Sequence, residues 1–560
     1  MTIRLNAQKS AVNQYSQQAG WFFTRRAAND YNQLHIKVST VKLLNYLAGQ
    51  WVEGEGLGVS LCDPVSAEPV AFASSEGLDL AAALDFARVR ANPALQALTF
   101  AQRADLLAQL ADVLMVNRDS YYQAALSNSG NTAVDAGIDV DGGIGTLKYF
   151  SALGKSLGES CFAVEAGMDR LSKEKTFQSA HVLTPLKGVA IHINAFNFPS
   201  WGLWEKASVS LLAGVPVFAK PATTSSLLTY LMIKDVVDAD ILPPGSLSLI
   251  CGGGHDLMDH VQSSDLVFFT GSADTAIKLR SNANVIRSNV RFSVEADSLN
   301  MSLLGADVLA GTPLFDAFIK EVVKEMTTKA GQKCTAIRRI MVPASQIDAV
   351  AEALSARLAK VVVGDPRNEG VRMGPLMNKS QQQAAEEGLT VLLQETELVF
   401  GGGKDFSPVA EDPAAGCFMQ PTLLRCDEPL QAQRIHDTEV FGPVSTLMAY
   451  QSESEAWALA QRGGGSLACS VFTADDVLAL RAVEMLAVHH GRVLLVNETV
   501  QAGHTGHGIV MPQCVHGGPG RAGGGEELGG MRGLKHYMQR TAIQGDVAVL
   551  KQLLDAAAII

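Results

Sequence analysis

The apolar positions change period along the chain, and the changes mark out its elements. Leu106, Leu107, Leu110, Val113 and Leu114 recur at helical spacing, and so do Phe315, Phe318, Ile319, Val322, Val323 and Met326. Both stretches predict helices with one buried stripe. Between residues 186 and 305 short runs rich in Val, Ile, Leu and Phe take over: GVAIHI (188–193), VPVFAK (215–220), SLSLICGG (246–253), DLVFFTG (265–271) and RFSVEA (291–296). Amphipathic stretches separate them, among them SWGLWEKASVSLLAG and SSLLTYLMIKDVVDA. Such alternation predicts an α/β fold, a doubly wound parallel sheet with helices on both faces.

The flanking patterns complete the organisation. AGMDRLSKEKTFQSAHVL is polar and alternating, which predicts a projecting hairpin over about 166–185, of the kind that joins subunits. IRRIMVP (337–343) reads as a strand after the Phe315–Met326 helix, with Gly331 as the helix stop. The plan expected is an extension without order over 1–41, a cofactor-binding domain over 42–297 carrying the hairpin, a catalytic α/β domain over 298–525, and a C-terminal segment over 526–560 joining cofactor and oligomerisation regions. Residues 1–29 hold four bases and no acid, but no apolar run follows Arg25 and Arg26, so an export signal is not expected.

Composition narrows the class. With 47% hydrophobic and 18% charged residues the chain is of globular type, and no apolar run is long enough for a transmembrane helix. A net charge of -12 argues against a nucleic-acid partner, because a phosphate backbone would be repelled. The eight cysteines show no CxxC pair or finger spacing, so neither a disulfide framework nor a metal site is expected, and a reducing cytoplasm suits them.

Several polar residues stand where packing alone would not put them. Asn197 follows the first predicted strand, Lys220 ends the second, Thr270, Gly271 and Ser272 end the fourth, and Glu295 ends the fifth. Open α/β sheets bind ligands outside the carboxyl ends of their strands, so these residues converge on one crevice. Cys334, in AGQKCTAIRR, has Lys333, Arg338 and Arg339 as neighbours. Nearby cations favour a thiolate, although alternation along the strand allows at most one arginine to face the thiol. Taken singly, Cys334 also fits an inert cysteine and Asn197 a turn-former. A literal GxGxxG at Gly518, Gly520 and Gly523 has neither the preceding strand nor the following helix of a dinucleotide fingerprint.

The ordered set INAFNFP, AKPAT, FTGS, VEADSLN, GQKCTA and EVFGPV closely resembles the aldehyde dehydrogenase superfamily, over residues from about 42 to 545. The resemblance implies Cys334 as nucleophile, Glu295 as general base, Asn197 as side-chain donor to the oxyanion and Glu527 as an acid lining a proton path. It further implies Lys220 at the cofactor ribose, Thr270, Gly271 and Ser272 beside the pyrophosphate, and Glu439 and Phe441 at the nicotinamide. Two positions depart from the family pattern: Ala276 stands where the loop usually ends in glycine, and Thr223 where a glutamate often holds both ribose hydroxyls. A hydroxyl there accommodates a 2′-phosphate that a carboxylate would repel, so NADP is expected over NAD.

Within the superfamily TGHG, HGGPGRAGGGEELGG and LKHYMQRTAIQG are similar to the semialdehyde dehydrogenases of phenylacetate and benzoyl-CoA catabolism. That similarity implies a semialdehyde carried as a coenzyme A thioester, 3-oxo-5,6-dehydrosuberyl-CoA semialdehyde on the strength of the closing motif. The alternatives are the adipyl-CoA homologue of the benzoyl-CoA route, a broader aliphatic substrate, or a silent scaffold. A homodimer or dimer of dimers is implied. Because the chain ends at Ile560, a separate enoyl-CoA hydratase acting in trans is expected, with no fused hydratase domain.

Overall fold

The computed structural model describes residues 41–403 and 406–560, so the expected extension, apart from residue 41, lies outside the described residues. Two seven-stranded sheets form the frame. In the first, Arg291–Glu295, Leu266–Thr270, Ala190–Ile193, Val217–Lys220 and Leu247–Leu249 lie side by side and parallel, and Asn45–Leu47 and Gln50–Val52 extend one edge antiparallel. The period of two along these strands sorts their side chains to two faces. Ile191, Phe218 and Val267 pack under Leu80, Leu84 and Val285 on one face, whereas Ala190, Val217, Ala219 and Phe268 meet Leu203 and Trp204 on the other. This is the doubly wound α/β architecture expected from the sequence.

Strand order places the crevice. The chain winds from Ala190–Ile193 through Val217–Lys220 to Leu247–Leu249 on one side, then returns to lay Leu266–Thr270 and Arg291–Glu295 on the other. The loops after Ile193 and Thr270 therefore leave neighbouring strands in opposite directions, and a ligand crevice opens there.

The second sheet carries Thr422–Cys426, Val444–Tyr450, Arg339–Pro343, Met301–Leu304, Cys469–Phe472 and Val493–Val496 in parallel, with Glu397–Phe400 antiparallel at its edge. The helix Pro313–Thr327 starts at Thr312, whose side chain accepts from the Phe315 N–H, and lays Phe315, Phe318, Ile319 and Val322 on this sheet beside Ile340 and Val342. Each such side chain contributes about 1.5–3 kcal/mol on burial. Only five residues separate Glu295 from Met301, so the last strand of one sheet leads almost directly into the other.

Three helices back the crevice. Phe100–Val116, Ala133–Leu157 and Trp201–Ala213 pack so closely that a Cβ on Gly154 would lie 2.4 Å from Leu212 Cδ1. Asp139 on the second of them accepts the Ser200 and Trp201 N–H groups and so fixes the start of the third. Elsewhere Phe177–Pro185 pairs along its length with Met538–Asp546, and Asp169–Arg170 folds back on it. Among the described residues no helix is long and apolar enough to cross a membrane.

Candidate active site

The segment before Cys334 is held in an uncommon backbone conformation. Lys329, Ala330 and Gly331 have φ of 50°, 52° and 70°, three left-handed residues in succession. Such conformations cost free energy in residues other than glycine and persist only where the surroundings hold them. Here Asp135 Oδ1 accepts the Lys329 N–H, Lys329 Nζ lies 3.6 Å from Asp139, and Gly331 is so close to Gly442 that a Cβ would meet its carbonyl oxygen at 2.3 Å. The Cys334 loop is thereby clamped between the helix layer and the EVFGPV segment.

Three groups meet at the thiol. His516 Nε2 lies 4.0 Å from Cys334 Sγ and 3.2 Å from Glu295 Oε1. Asn197 Nδ2 donates to the Gln332 carbonyl at 3.1 Å, which sets the carboxamide against the same loop. The Cys334 N–H donates no backbone hydrogen bond among the described residues. Behind Glu295, Lys206 Nζ sits 2.6 Å from Glu205 Oε1 and 2.9 Å from Glu527 Oε2, and carboxylate oxygens of Glu205, Glu295 and Glu527 lie within 4.8 Å of one another. Glu295, Cys334 and His516 also group within 4.8 Å, a donor set able to hold a metal ion.

A small hairpin brings His516 and Glu527 together. Val515–Gly517 pairs antiparallel with Glu526–Leu528, and His516 stands directly opposite Glu527. Directly opposed residues share a face of such a pair. The glycines between them let the hairpin dock on the Glu295 strand: Gly525 N–H donates to Val294 O at 3.1 Å, and a Cβ on Gly523 would meet that carbonyl oxygen at 2.4 Å. The GxGxxG tract thus serves close backbone approach.

The charges follow from burial and neighbours. Burial raises the Cys334 thiol, and the Glu295 carboxylate raises it further, well above the ordinary value. Burial alone would also raise Glu295, but the His516 imidazole, with Lys206 behind it, outweighs burial and holds the carboxyl down to about 2. Conversely, burial opposes protonation of His516 and Glu295 overcomes it, so His516 is raised. Glu527 is pushed up to about 7 by burial, against the pull of Lys206.

The cations beside Cys334 in sequence do not activate it in the way their composition suggests. Lys333 is buried and donates to Glu325 Oε2 at 2.7 Å. Arg338 donates to the carbonyls of Gly442 and Gly331, and Arg339 to those of Leu299 and Leu459. Carbonyl and carboxylate partners engage all three, and burial and Glu295 outweigh the pull of Lys333 on the thiol.

Across the crevice stand the residues expected to hold a cofactor. Thr270 pairs in register with Glu295, and its buried Oγ1 has no hydrogen-bond partner among the described residues. Ser272 caps the helix Ala273–Arg280 through the Thr275 N–H, whereas the Gly271 N–H is taken by Glu295 O at 3.1 Å and is not free for a phosphate. Ala276 is buried beside Phe269 and Val294, so a methyl fits where the family has glycine. Lys220 Nζ donates to the Pro221 carbonyl, and burial lowers its pKa. Thr223 opens the single turn Thr223–Ser225 two residues beyond that proline.

Glu439 and Phe441 close the gap between the two groups. Glu439 Oε2 accepts the Ser298 N–H at 3.0 Å, and burial pushes its carboxyl up to about 7 despite Arg338 at 3.7 Å. The Phe441 ring meets Phe196, beside Asn197, edge-on at 5.7 Å between centroids. Sequence reasoning missed His516, Glu205 and Lys206. A Glu-Lys pair inside the apolar run SWGLWEKASVSLLAG was a legible sign of a buried ion pair. His516 had no such sign, since the glycine-rich tract hides its strand alternation.

A doubly wound sheet facing a second α/β sheet, with a half-buried thiol beside a buried carboxylate and carboxamide between them, is the arrangement of an oxidoreductase. The chain belongs to the aldehyde dehydrogenase family, whose model matches residues 51–543. It is 53% identical over 479 residues to 3,4-dehydroadipyl-CoA semialdehyde dehydrogenase of Aromatoleum evansii, covering 86% of this chain and 93% of that protein. A solved betaine aldehyde dehydrogenase from Staphylococcus aureus in complex with NAD+ has the same fold, at a TM-score of 0.76 and 23% identity, over 90% of this chain and 95% of that one.

A third relative brings a correction. Protein MaoC of Klebsiella aerogenes is 49% identical over 179 residues, 32% of this chain and 52% of that protein. In that relative the shared segment is continuous with other sequence. Neither the separate hydratase acting in trans nor the absence of a fused hydratase region, both inferred from the chain ending at Ile560, stands against this match.

Proposed function

We propose that the chain oxidises a semialdehyde carried on coenzyme A to the corresponding acid, with Cys334 as nucleophile and NADP as the preferred cofactor. The observation that carries this reading is the grouping of Cys334, Glu295 and His516 within 4.8 Å. As Sγ bonds to the aldehyde carbon, the thiol proton passes to the Glu295 carboxylate, which the His516 pair keeps ionised and so open to a proton. The new oxyanion lies against Asn197 Nδ2 and the Cys334 N–H, donors whose loss typically costs about 10²–10³ in kcat.

When bound, the nicotinamide dinucleotide supplies the hydride acceptor. Its fit here is supported by the unpartnered Thr270 Oγ1 and the weakly held Lys220 ammonium, with Thr223, Gly271, Ser272, Glu439 and Phe441 completing the lining. The Cys334 thioester is then cleaved by water. Glu295 takes the water proton, the C–S bond breaks, and the acid leaves. Glu527, with its carboxyl near 7, exchanges that proton onward beside Lys206.

For the substrate, the name of the Aromatoleum relative supports 3,4-dehydroadipyl-CoA semialdehyde. The motif LKHYMQRTAIQG favours the longer suberyl homologue as second reading. Residues 42–297 are read as the cofactor-binding region, 298–525 as the catalytic one and 526–560 as the joining segment. Eight free cysteines suit a reducing cytoplasm.

Steady-state kinetics with both CoA semialdehydes and both cofactors test the reading. We expect kcat/KM with NADP to exceed that with NAD by about tenfold or more, a difference of about 1.4 kcal/mol. A kcat/KM for NAD equal to or above that for NADP overturns the part assigned to Thr223.

A further inference from the structure

Away from the thiol, the helices Pro313–Thr327 and Ile347–Leu358 share a surface pocket of about 440 Å³ lined by Lys320, Val323, Lys324, Arg357 and Lys360. Four cations converge there on a chain whose net charge is -12. Lys320 and Lys360 have no ion-pair partner among the described residues, and Arg357 is 3.7 Å from the nearest oxygen of Asp316. Lys324 is 3.8 Å from Glu321, whose Oε1 is already committed to the His507 N–H. Four like charges with only two acids near them, both beyond hydrogen-bond distance, are unfavourable, and a bound anion relieves them.

The pocket is joined to the nucleophile by one loop. Lys324 stands over Gly506, where a Cβ would lie 2.5 Å from its Nζ. Two residues on, the Gly508 carbonyl accepts from the Thr335 hydroxyl at 3.0 Å, and Thr335 directly follows Cys334. His504, at the start of the loop, is lowered by burial and by the charges of Lys324 and Lys320, against the pull of Glu321. One loop, residues 504–508, thus touches both the cationic pocket and the residue that follows the thiol.

We propose that this pocket binds the phosphates of the substrate's 3′-phospho-ADP moiety, with the Arg357 guanidinium as a planar fork and the three lysines as point charges. The inference rests on the reading that the substrate is a coenzyme A thioester. Because the pocket is open to solvent, the attraction is screened by salt.

The test compares wild type with the double variant Lys320→Glu/Lys324→Glu on a CoA-linked semialdehyde and on free succinate semialdehyde. We expect KM for the CoA-linked substrate to rise by about tenfold or more, with kcat and the free-aldehyde KM little changed. Adenosine 3′,5′-bisphosphate should compete with the CoA-linked substrate in the wild type and lose that effect in the variant. An unchanged KM, or an equal rise for both aldehydes, overturns the pocket while the substrate reading survives. A wild type that oxidises the free aldehyde and rejects the CoA thioester overturns the substrate reading and the pocket with it.

Discussion

The two sides of the crevice handle charge in opposite ways. On the cofactor side the buried Thr270 Oγ1 has no partner among the described residues, and Lys220 has only the Pro221 carbonyl. Around the thiol the charges stand in opposite-sign sets: Lys333 with Glu325, Lys206 with Glu205 and Glu527, His516 with Glu295. An unpaired buried polar group costs about 1–3 kcal/mol, and a ligand that supplied a partner at Thr270 would relieve that cost. A paired set works differently, since it keeps its geometry through the reaction and fixes where protons reside.

The comparison breaks most completely at the thiol. Cys334→Ala removes the bond-forming atom, and aldehyde oxidation should fall by on the order of 10⁴-fold or more, read from NADPH absorbance. Retained turnover would transfer the chemistry away from the paired side altogether.

Glu527→Gln asks less. Its carboxyl, held near 7, ionises as pH rises, so wild-type kcat should climb through about pH 7. The variant should lose that inflection and about 100-fold in kcat. The same raised value has a stability consequence. The protonated form favours the folded state below the ordinary value of 4.5, and that contribution is lost as pH rises toward 7. Melting temperature should therefore depend less on pH over this window in the variant than in the wild type.

Lys333→Met has the smallest effect on chemistry and sharpens the contrast most. Leaving Glu325 buried without its partner should destabilise the fold by about 3–5 kcal/mol in denaturant titration. The rate at which iodoacetamide modifies Cys334 should stay close to the wild-type rate, because burial and Glu295 act on the thiol more strongly than Lys333 does. A large fall in that rate would return Lys333 to the activation of the thiol.

Much of this was legible in the chain. The runs rich in Val, Ile, Leu and Phe from 188 to 296 predict the strands of the cofactor sheet, and their ends predict the crevice, because a sheet buried on both faces imposes near-continuous apolar runs. Cys334, Glu295, Asn197 and Glu527 converge although Asn197 and Glu527 are 330 positions apart in sequence. What stayed hidden depends on tertiary register. His516 reaches Glu295 only because Gly523 and Gly525 allow the hairpin to dock on Val294, and no local pattern encodes that contact. The lure of Lys333, Arg338 and Arg339 had the same cause, since sequence proximity to a thiol does not say which carbonyl or carboxylate takes each cation.

The central claim is that one side chain forms the thioester and another releases it. Rapid-mixing kinetics of Glu295→Gln with saturating aldehyde and NADP measure this directly. The account predicts a burst of NADPH approaching one equivalent per chain, followed by near-complete arrest as the Cys334 thioester accumulates. Steady turnover at the wild-type rate with no burst would contradict it.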